Sequence, residues 1–396
     1  MAGNHPAAVS EPVHFYAEIK PQLAIANVTI GFSIEQIENV EVGKHEIQLF
    51  GKNKAFQCRL EVEDVTFQTL SCHGLSWNPT DGLSFRIQTV DGNCQIGGNH
   101  NAFQDEIIDI LSSPTLSIRC RMCQNHIGPR KRFSKVLPLP SDGWSEFADA
   151  AFCCHGHDHG EEGCESSRKQ KPLETQQSLD NATCLVGTYF SLISADYLLP
   201  STVKWEKEKL ICSKCRNRLG ISTKSALSEK FLNGKSKKSR IAELHLFHVS
   251  LKRSSYESSA NVSENTEHWL ARFLQWQASA ASSFRISVER KEGDTPSQPY
   301  ILVWLMDSKA LLCHGTIPPS QKIKPQPFIK IMYKDCLEKN EEEVQNWRKD
   351  FSVLHLALPG QPCQLLLKHL ISNTKTMPKS QQLVNGFFVS YLLLPG

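Results

Sequence analysis

The sequence predicts an α+β protein, in which a β-rich N-terminal domain is joined through a cysteine-paired middle region to an α+β C-terminal domain. Three observations carry that reading. Short β-branched or aromatic runs punctuated by turn residues fill the first hundred positions. Two C-x-x-C pairs, Cys120/Cys123 and Cys212/Cys215, bracket the middle, and strand-length and helix-length apolar patterns alternate after Ile241. The boundaries drawn from these patterns are 1–115 for a sandwich-like domain, 116–224 for the cysteine region with a disordered insert at 156–181, 225–240 for a Lys- and Ser-rich linker, and 241–396 for the last domain.

In the first domain, Val13 to Ile19, Leu23 to Val28, Glu46 to Phe50 and Leu60 to Leu70 alternate partly in period two, as half-buried strands do. Gly51-Lys52-Asn53, Asn78 to Gly82 and Asp91-Gly92-Asn93 separate them at the intervals of a sandwich or open barrel. Cys58, Cys72 and Cys94 lack metal-ligand spacing and read as small core residues. No functional site is expected here.

Chain-wide charge excludes some partners. With 44 Lys and Arg against 41 Asp and Glu, the net field draws the protein neither to nucleic acid nor to an anionic membrane. The N-terminus lacks a basic segment followed by an apolar one, and no apolar run reaches bilayer length, so a cytoplasmic location is expected, the nucleus being the alternative. In a reducing compartment the 14 cysteines are metal ligands, nucleophiles or packing residues rather than disulfides.

The two C-x-x-C elements each follow a strand-like run, Leu116 to Arg119 and Leu210-Ile211. Each element holds two thiolates on one tight turn, and two such turns face to face supply the four soft ligands of a tetrahedral structural Zn2+. A thioredoxin-type redox pair is the alternative, but neither element sits in a βαβ pattern. Since 88 residues separate Cys123 from Cys212, the expected site is a long-range staple rather than a small finger.

Between the halves, Val136-Leu137-Pro138-Leu139-Pro140-Ser141 leads into Trp144, Phe147, Ala148 and Ala151, spaced as one apolar helix face. Beyond it, Cys153, Cys154 and His155 open a loop with His157, His159 and Cys164. That loop reads either as a second metal or functional site or as a His-rich segment with adventitious metal affinity. After the linker, Ile241 to Leu251 reads as a strand with His245 and His248 on a partly exposed face. Glu267 to Ala281 is a helix broad in apolar residues, with Trp269 and Phe273 candidates for partner contact alongside Trp144. Ile286 to Glu289, Tyr300 to Met306, Leu311 to Cys313 and Phe328 to Tyr333 follow as strands, then a charged helix at 338–348 and a closing strand at Phe387 to Leu394.

Taken in order, Val136 to Ser141 with Trp144, Cys153-Cys154-His155, Ile211-Cys212 to Cys215 with Leu219-Gly220, Tyr300 to Leu305, and Val384-Asn385 with Phe388 resemble the HECT-like ubiquitin ligase family described as ubiquitin-conjugating-enzyme binding protein. The resemblance implies a HECT-like C-terminal domain and transfer of ubiquitin from a conjugating enzyme (E2) to a protein substrate, such as a cyclin, or to the ligase itself. A non-catalytic, zinc-organised adaptor for a client such as the pre-mRNA cleavage and polyadenylation machinery is the alternative. Leu358-Pro359 followed by Cys363 and then leucines resembles the loop of a HECT catalytic cysteine, although Pro362 stands where that motif carries Thr. That resemblance nominates Cys363 as the ubiquitin-carrying nucleophile, accessible and acidified by a helix start, whereas the residues taken by themselves read it as a buried packing cysteine.

Overall fold

The structure, a computed structural model, describes residues 13–31, 37–54, 56–90, 103–129, 131–139, 182–222, 240–253, 265–291, 296–317, 320–336 and 342–395. It falls into two compact units, Met1–Asn101 with Glu267–Gly396, and Ala102–Thr266.

The first unit begins with seven strands: β1 (Val13–Lys20), β2 (Ile25–Ile30), β3 (Asn39–Val42), β4 (Glu46–Phe50), β5 (Phe56–Val62), β6 (His73–Asn78) and β7 (Gly82–Gln88). Alternation divides them between two faces. Phe15, Ala17 and Ile19 of β1, Ala26 and Val28 of β2, and Phe85 and Ile87 of β7 pack with Ile47, Leu49, Leu60 and Val62 into one core. Tyr16, between two of these, joins a different core. Cys58 is part of the first core, and burial pushes its thiol up to about 11. Cys72 packs against it, while Cys94 lies outside the described residues.

In the second unit, helix α1 (Phe103–Leu111) buries Phe103, Ile107 and Leu111, one stripe at four-residue spacing. Strands β8 (Leu116–Cys120), β9 (Lys135–Pro138), β10 (Thr183–Val186), β11 (Phe190–Ser194), β12 (Val203–Glu206), β13 (Lys209–Cys212), β14 (Arg218–Ser222), β15 (Ile241–His245) and β16 (Val249–Arg253) follow. Seven of them form a sheet in the order β12-β13-β14-β15-β11-β10-β9, and β8 pairs with β16. The expected single strand from Ile241 is broken by a 3-10 turn at Leu246–His248, which carries the chain from one sheet to the other. This places His245 and His248 in the interior rather than on a partly exposed face, with only 2% and 4% of their surfaces accessible. Gly220 is needed here: a Cβ at that position would lie 2.0 Å from the Glu243 carbonyl oxygen across the β14–β15 pair.

The chain then returns to the first unit through α2 (Thr266–Ala280), β17 (Arg285–Lys291), β18 (Gln298–Ile317), β19 (Ser320–Ile323), β20 (Gln326–Asp335), α3 (Glu342–Lys349), β21 (Leu354–Pro359), α4 (Gly360–Thr374), β22 (Leu383–Val384) and β23 (Phe387–Leu393). The two strands expected at Tyr300 to Met306 and Leu311 to Cys313 are one long strand with irregular register at Leu305 to Ala310. It joins the ends of the sequence: β17 lies against its first part, and β1 pairs with it from Val13↔Ile317 to Ile19↔Leu311. A ten-stranded sheet results, with central order β22-β23-β20-β18-β1-β2-β7-β6, and β19-β5-β4-β3 form the smaller sheet.

This pairing redraws the boundaries read from the sequence. Strands β1, β2, β6 and β7 share the large sheet with strands from 285–393, and β3 to β5 share the smaller one with β19, so neither 1–115 nor 241–396 stands as a separate sheet system. The stretch expected as an interdomain linker connects β14 to β15, which are hydrogen-bonded neighbours in one sheet. The mixed, strand-rich α+β class holds. Among the described residues, no helix is long and apolar enough to cross a membrane.

Candidate functional site

The two C-x-x-C elements form the same local structure. Strand β8 ends at Cys120 and β13 at Cys212. In the first turn the Cys120 N–H donates to the Asn125 carbonyl at 2.8 Å and the Gln124 N–H to the Cys120 carbonyl at 2.8 Å. In the second, the Cys212 N–H donates to Asn217 and the Arg216 N–H to Cys212, both at 2.9 Å. The residue after the second cysteine is left-handed in both, with φ 58° at Gln124 and 59° at Arg216. The repeat is therefore Cys-x-x-Cys-x-Asn. Its two asparagines were visible in the sequence as a signal beyond the cysteines.

These turns bring the four thiols together, with every Sγ within 4.8 Å of the others. Cys120 lies 3.6 Å from Cys215, and Cys123 lies 3.6 Å from Cys212. Such separations exceed a disulfide bond of about 2.05 Å. They suit the edges of a tetrahedron, about 3.8 Å when each thiolate sits about 2.3 Å from a central zinc. Cys120 and Cys212 are buried, whereas Cys123 and Cys215 are half-buried.

Electrostatics at the cluster explain why it suits a cation. Burial opposes ionisation of Cys212, but N–H groups of Cys215 and Lys214 point at its sulfur and, with the neighbouring thiols, bring it down to about 7. The matching N–H groups of Cys123 and Met122 point at Cys120, where burial prevails and holds the thiol up. Burial and the adjacent sulfurs push Cys215 up to about 12. One thiolate forms readily and penalises the rest, which is the charge problem a divalent ion removes. The surroundings also fix the ligands: Asn125 Nδ2 donates to Cys212 Sγ at 3.9 Å across the cluster, and the Arg121 guanidinium holds the carbonyls of Leu246 and Val249 at 3.2 and 2.7 Å.

Cys363 has the opposite environment. It lies in the first turn of α4, as expected, but on the inward face with Leu366, Leu367 and Leu370, and none of its surface is accessible. Its thiol donates to the carbonyls of Leu358 at 3.7 Å and Glu289 at 3.9 Å. Burial pushes it up to about 12, outweighing the nearby Arg290 charge. The expectation of an accessible, acidified thiol is overturned by this packing.

Trp269 and Phe273 are likewise interior, 3% and 0% exposed, and stack on each other with centroids 4.9 Å apart. A ring enclosed by its own fold offers no surface, so these two are core residues of α2 rather than partner contacts. The residues Trp144, Cys153, Cys154 and His155 lie outside the described residues.

Comparison with known proteins bears on the whole chain. Residues 18–389 match the model of the family described as HECT-like ubiquitin-conjugating enzyme (E2)-binding. The chain is similar to an E3 ubiquitin-protein ligase of Rattus norvegicus, with 25% identity over 96% of this chain and 97% of that protein. It is similar also to the ligases of the same name from Homo sapiens, 24% identical over 98% and 99%, and Pongo abelii, 23% identical over 98% and 99%. No solved structure matches it significantly. The match runs through both units and both cysteine knuckles, and the chain belongs to the HECT-like E2-binding family.

Proposed function

We propose that this protein is an E3 ubiquitin ligase that binds a ubiquitin-charged E2 and promotes transfer of the ubiquitin to a protein substrate or to itself. The observation that carries the reading is the family match from residue 18 to residue 389, which spans both units. The relatives' names support the same activity.

Zn2+ held by Cys120, Cys123, Cys212 and Cys215 belongs to this proposal. Four thiolates fill a tetrahedron and leave no position for water, so the ion is structural and shapes the second unit instead of activating a nucleophile. The protein side of transfer is then positioning. A neutral acceptor amine attacks the carbonyl of the E2 thioester, the C–N bond forms, the C–S bond breaks, the E2 sulfur leaves as thiolate, and the proton lost by the nitrogen passes to water. This direct route is favoured because, among the described residues, each cysteine outside the zinc cluster is buried or half-buried. A non-catalytic adaptor is the second reading, supported by the same burial of Cys363.

A panel of ubiquitin-charged E2 enzymes tests the reading. The expected result is capture of at least one and faster loss of its thioester to lysine, at equal rates with wild type and Cys363→Ala. Capture without faster discharge supports the adaptor. A thiol-sensitive ubiquitin adduct on the wild type that vanishes in Cys363→Ala establishes the covalent route instead, and failure to capture any E2 defeats the proposal.

A further inference from the structure

One face of the large sheet is polar from β1 to the β6 edge. The strand register lines up Glu18, Asn27, Arg86 and His73 as a single rung across β1, β2, β7 and β6. The next rung runs through Thr29, Ser84 and Ser76. On β1, β2 and β7 their alternate neighbours, including Ala17, Val28, Phe85 and Ile87, point into the core on the opposite face. An outward sheet face is ordinarily polar, but this one is recessed: a groove of about 550 Å³ opens on it, and Glu18 and Thr29 are 4% and 6% exposed at its floor.

The groups that converge there are mostly donors. Lys330 on β20 reaches across β18 to Glu18 at 2.6 Å, and Tyr16 donates to the same carboxylate at 2.8 Å. That carboxylate fixes the ammonium at the groove while leaving its other protons. Arg86 is held through Nε on Asn27 Oδ1 at 3.0 Å, a neutral partner, so the two terminal nitrogens of its fork keep their positive charge for a ligand. Lys20 lines the groove and meets Asp307 at 3.6 Å. The hydroxyls of Thr29 and Ser84 lie 3.1 Å apart, and Gln381 donates to Thr29 at 3.5 Å. Three permanent cations and His73 thus face the carboxylates of Glu18 and Asp307, giving an excess of positive charge and of hydrogen-bond donors. Beside His73, the left-handed Gly74 leaves open space at the groove wall, where a side chain would meet nothing within 4 Å.

We propose that this groove binds a phosphate monoester carried on an extended segment of a client protein. A tetrahedral dianion with three acceptor oxygens matches a fork, two ammonium groups and paired hydroxyls better than one planar carboxylate does. The rung gives the segment a flat polar bed, and Arg86 is the specificity-determining residue. The client role rests on the ligase reading, but phosphate recognition does not.

Titration of the full-length protein with a phosphoserine peptide, its serine counterpart, its glutamate counterpart and inorganic phosphate tests the proposal without ubiquitin or an E2. The phosphoserine peptide should bind at least tenfold tighter than the other two peptides, inorganic phosphate should compete with it, and raising salt should weaken it. Arg86→Gln should lower that affinity at least tenfold with an unchanged melting temperature, and Lys20→Gln should lower it less. Equal binding of the serine or glutamate peptide, or wild-type affinity in the Arg86→Gln/Lys20→Gln double variant, overturns it. Because the assay omits the transfer machinery, loss of ligase activity and loss of phosphate recognition are read separately.

Discussion

The cysteine clasp and the Cys363 pocket give the same functional group two different surroundings. At the clasp, N–H groups of Lys214 and Cys215 point at Cys212, and those of Met122 and Cys123 point at Cys120. In the pocket, the sulfur faces the carbonyl oxygens of Leu358 and Glu289. Donors directed at a sulfur stabilise the thiolate that binds metal or attacks an electrophile, whereas acceptors directed at it stabilise the protonated thiol. Helix position alone misleads here. Cys363 has the favourable end of a helix dipole, yet total burial outweighs it.

The largest expected effect comes from removing one ligand of the clasp. In small zinc peptides the bound ion contributes on the order of 10 kcal/mol to folding, and here it would close the loop between Cys123 and Cys212. Cys215→Ser should therefore lose the stoichiometric ion and unfold the second unit, while the first-unit sheet keeps its hydrogen-exchange protection. Native mass spectrometry and exchange together measure this. Unchanged metal content would remove the clasp from the comparison altogether.

A second variant asks whether the clasp depends on the strand behind it. Gly220→Ala forces a methyl against the Glu243 carbonyl, and β14 must move from β15. Overpacking of this severity costs about 3 kcal/mol. The melting temperature of the second unit should fall, and a chelator should strip the metal faster than from wild type. Wild-type chelation kinetics in a destabilised variant would show that the two knuckles hold the ion without help from the sheet.

How much of this contrast was legible in the sequence differs between the two sites. The clasp was written in local spacing, because each half is a short turn closed by its own backbone hydrogen bonds, with Asn125 adding a side-chain donor to Cys212. The 88-residue separation conceals the pairing only from a local search, since four soft ligands imply one another. The burial of Cys363 was also available: Cys363, Leu366, Leu367 and Leu370 form an i, i+3, i+4, i+7 stripe, and all four are buried. Packing and catalysis are both open to Cys363 in the sequence, and this stripe decides for packing. Trp269 and Phe273, four residues apart on α2, follow the same rule. The union of β1 with β18 was not legible. Alternation tells a strand which face is inward but not which distant strand lies beside it, so the domain boundaries went astray where the longest-range pairing occurs.

Cys363→Ala gives a smaller effect. It removes a buried sulfur from among leucines, and the cavity should cost about 1–2 kcal/mol. Transfer of ubiquitin should continue at the wild-type rate, and iodoacetamide at neutral pH should leave Cys363 unmodified in the folded protein. Rapid alkylation would mean that the pocket opens, and the contrast with the clasp would then be one of state rather than of structure.

The smallest expected effect is a dependence on alkaline pH. An ordinary thiol ionises near ~8.5, whereas burial holds Cys363 up to about 12. Its folded value is raised, so the unfolded chain releases this proton first. The thiol's contribution is therefore fully present below ~8.5 and declines as pH climbs from there toward 12. The decline is about 1.4 kcal/mol per pH unit for each such thiol. Buried Cys184, pushed up to about 12 in the second unit, adds the same slope there, and it is unchanged by a substitution at Cys363. Urea unfolding of wild type and Cys363→Ala side by side separates the two, because the Cys184 slope is common to both and cancels in their difference. Wild type should exceed Cys363→Ala at pH 8, and that advantage should shrink by about 2 kcal/mol at pH 10, where only wild type must keep this proton in order to stay folded. A constant advantage across that interval would mean that Cys363 ionises equally well folded and unfolded, and that its burial exerts no hold on the proton.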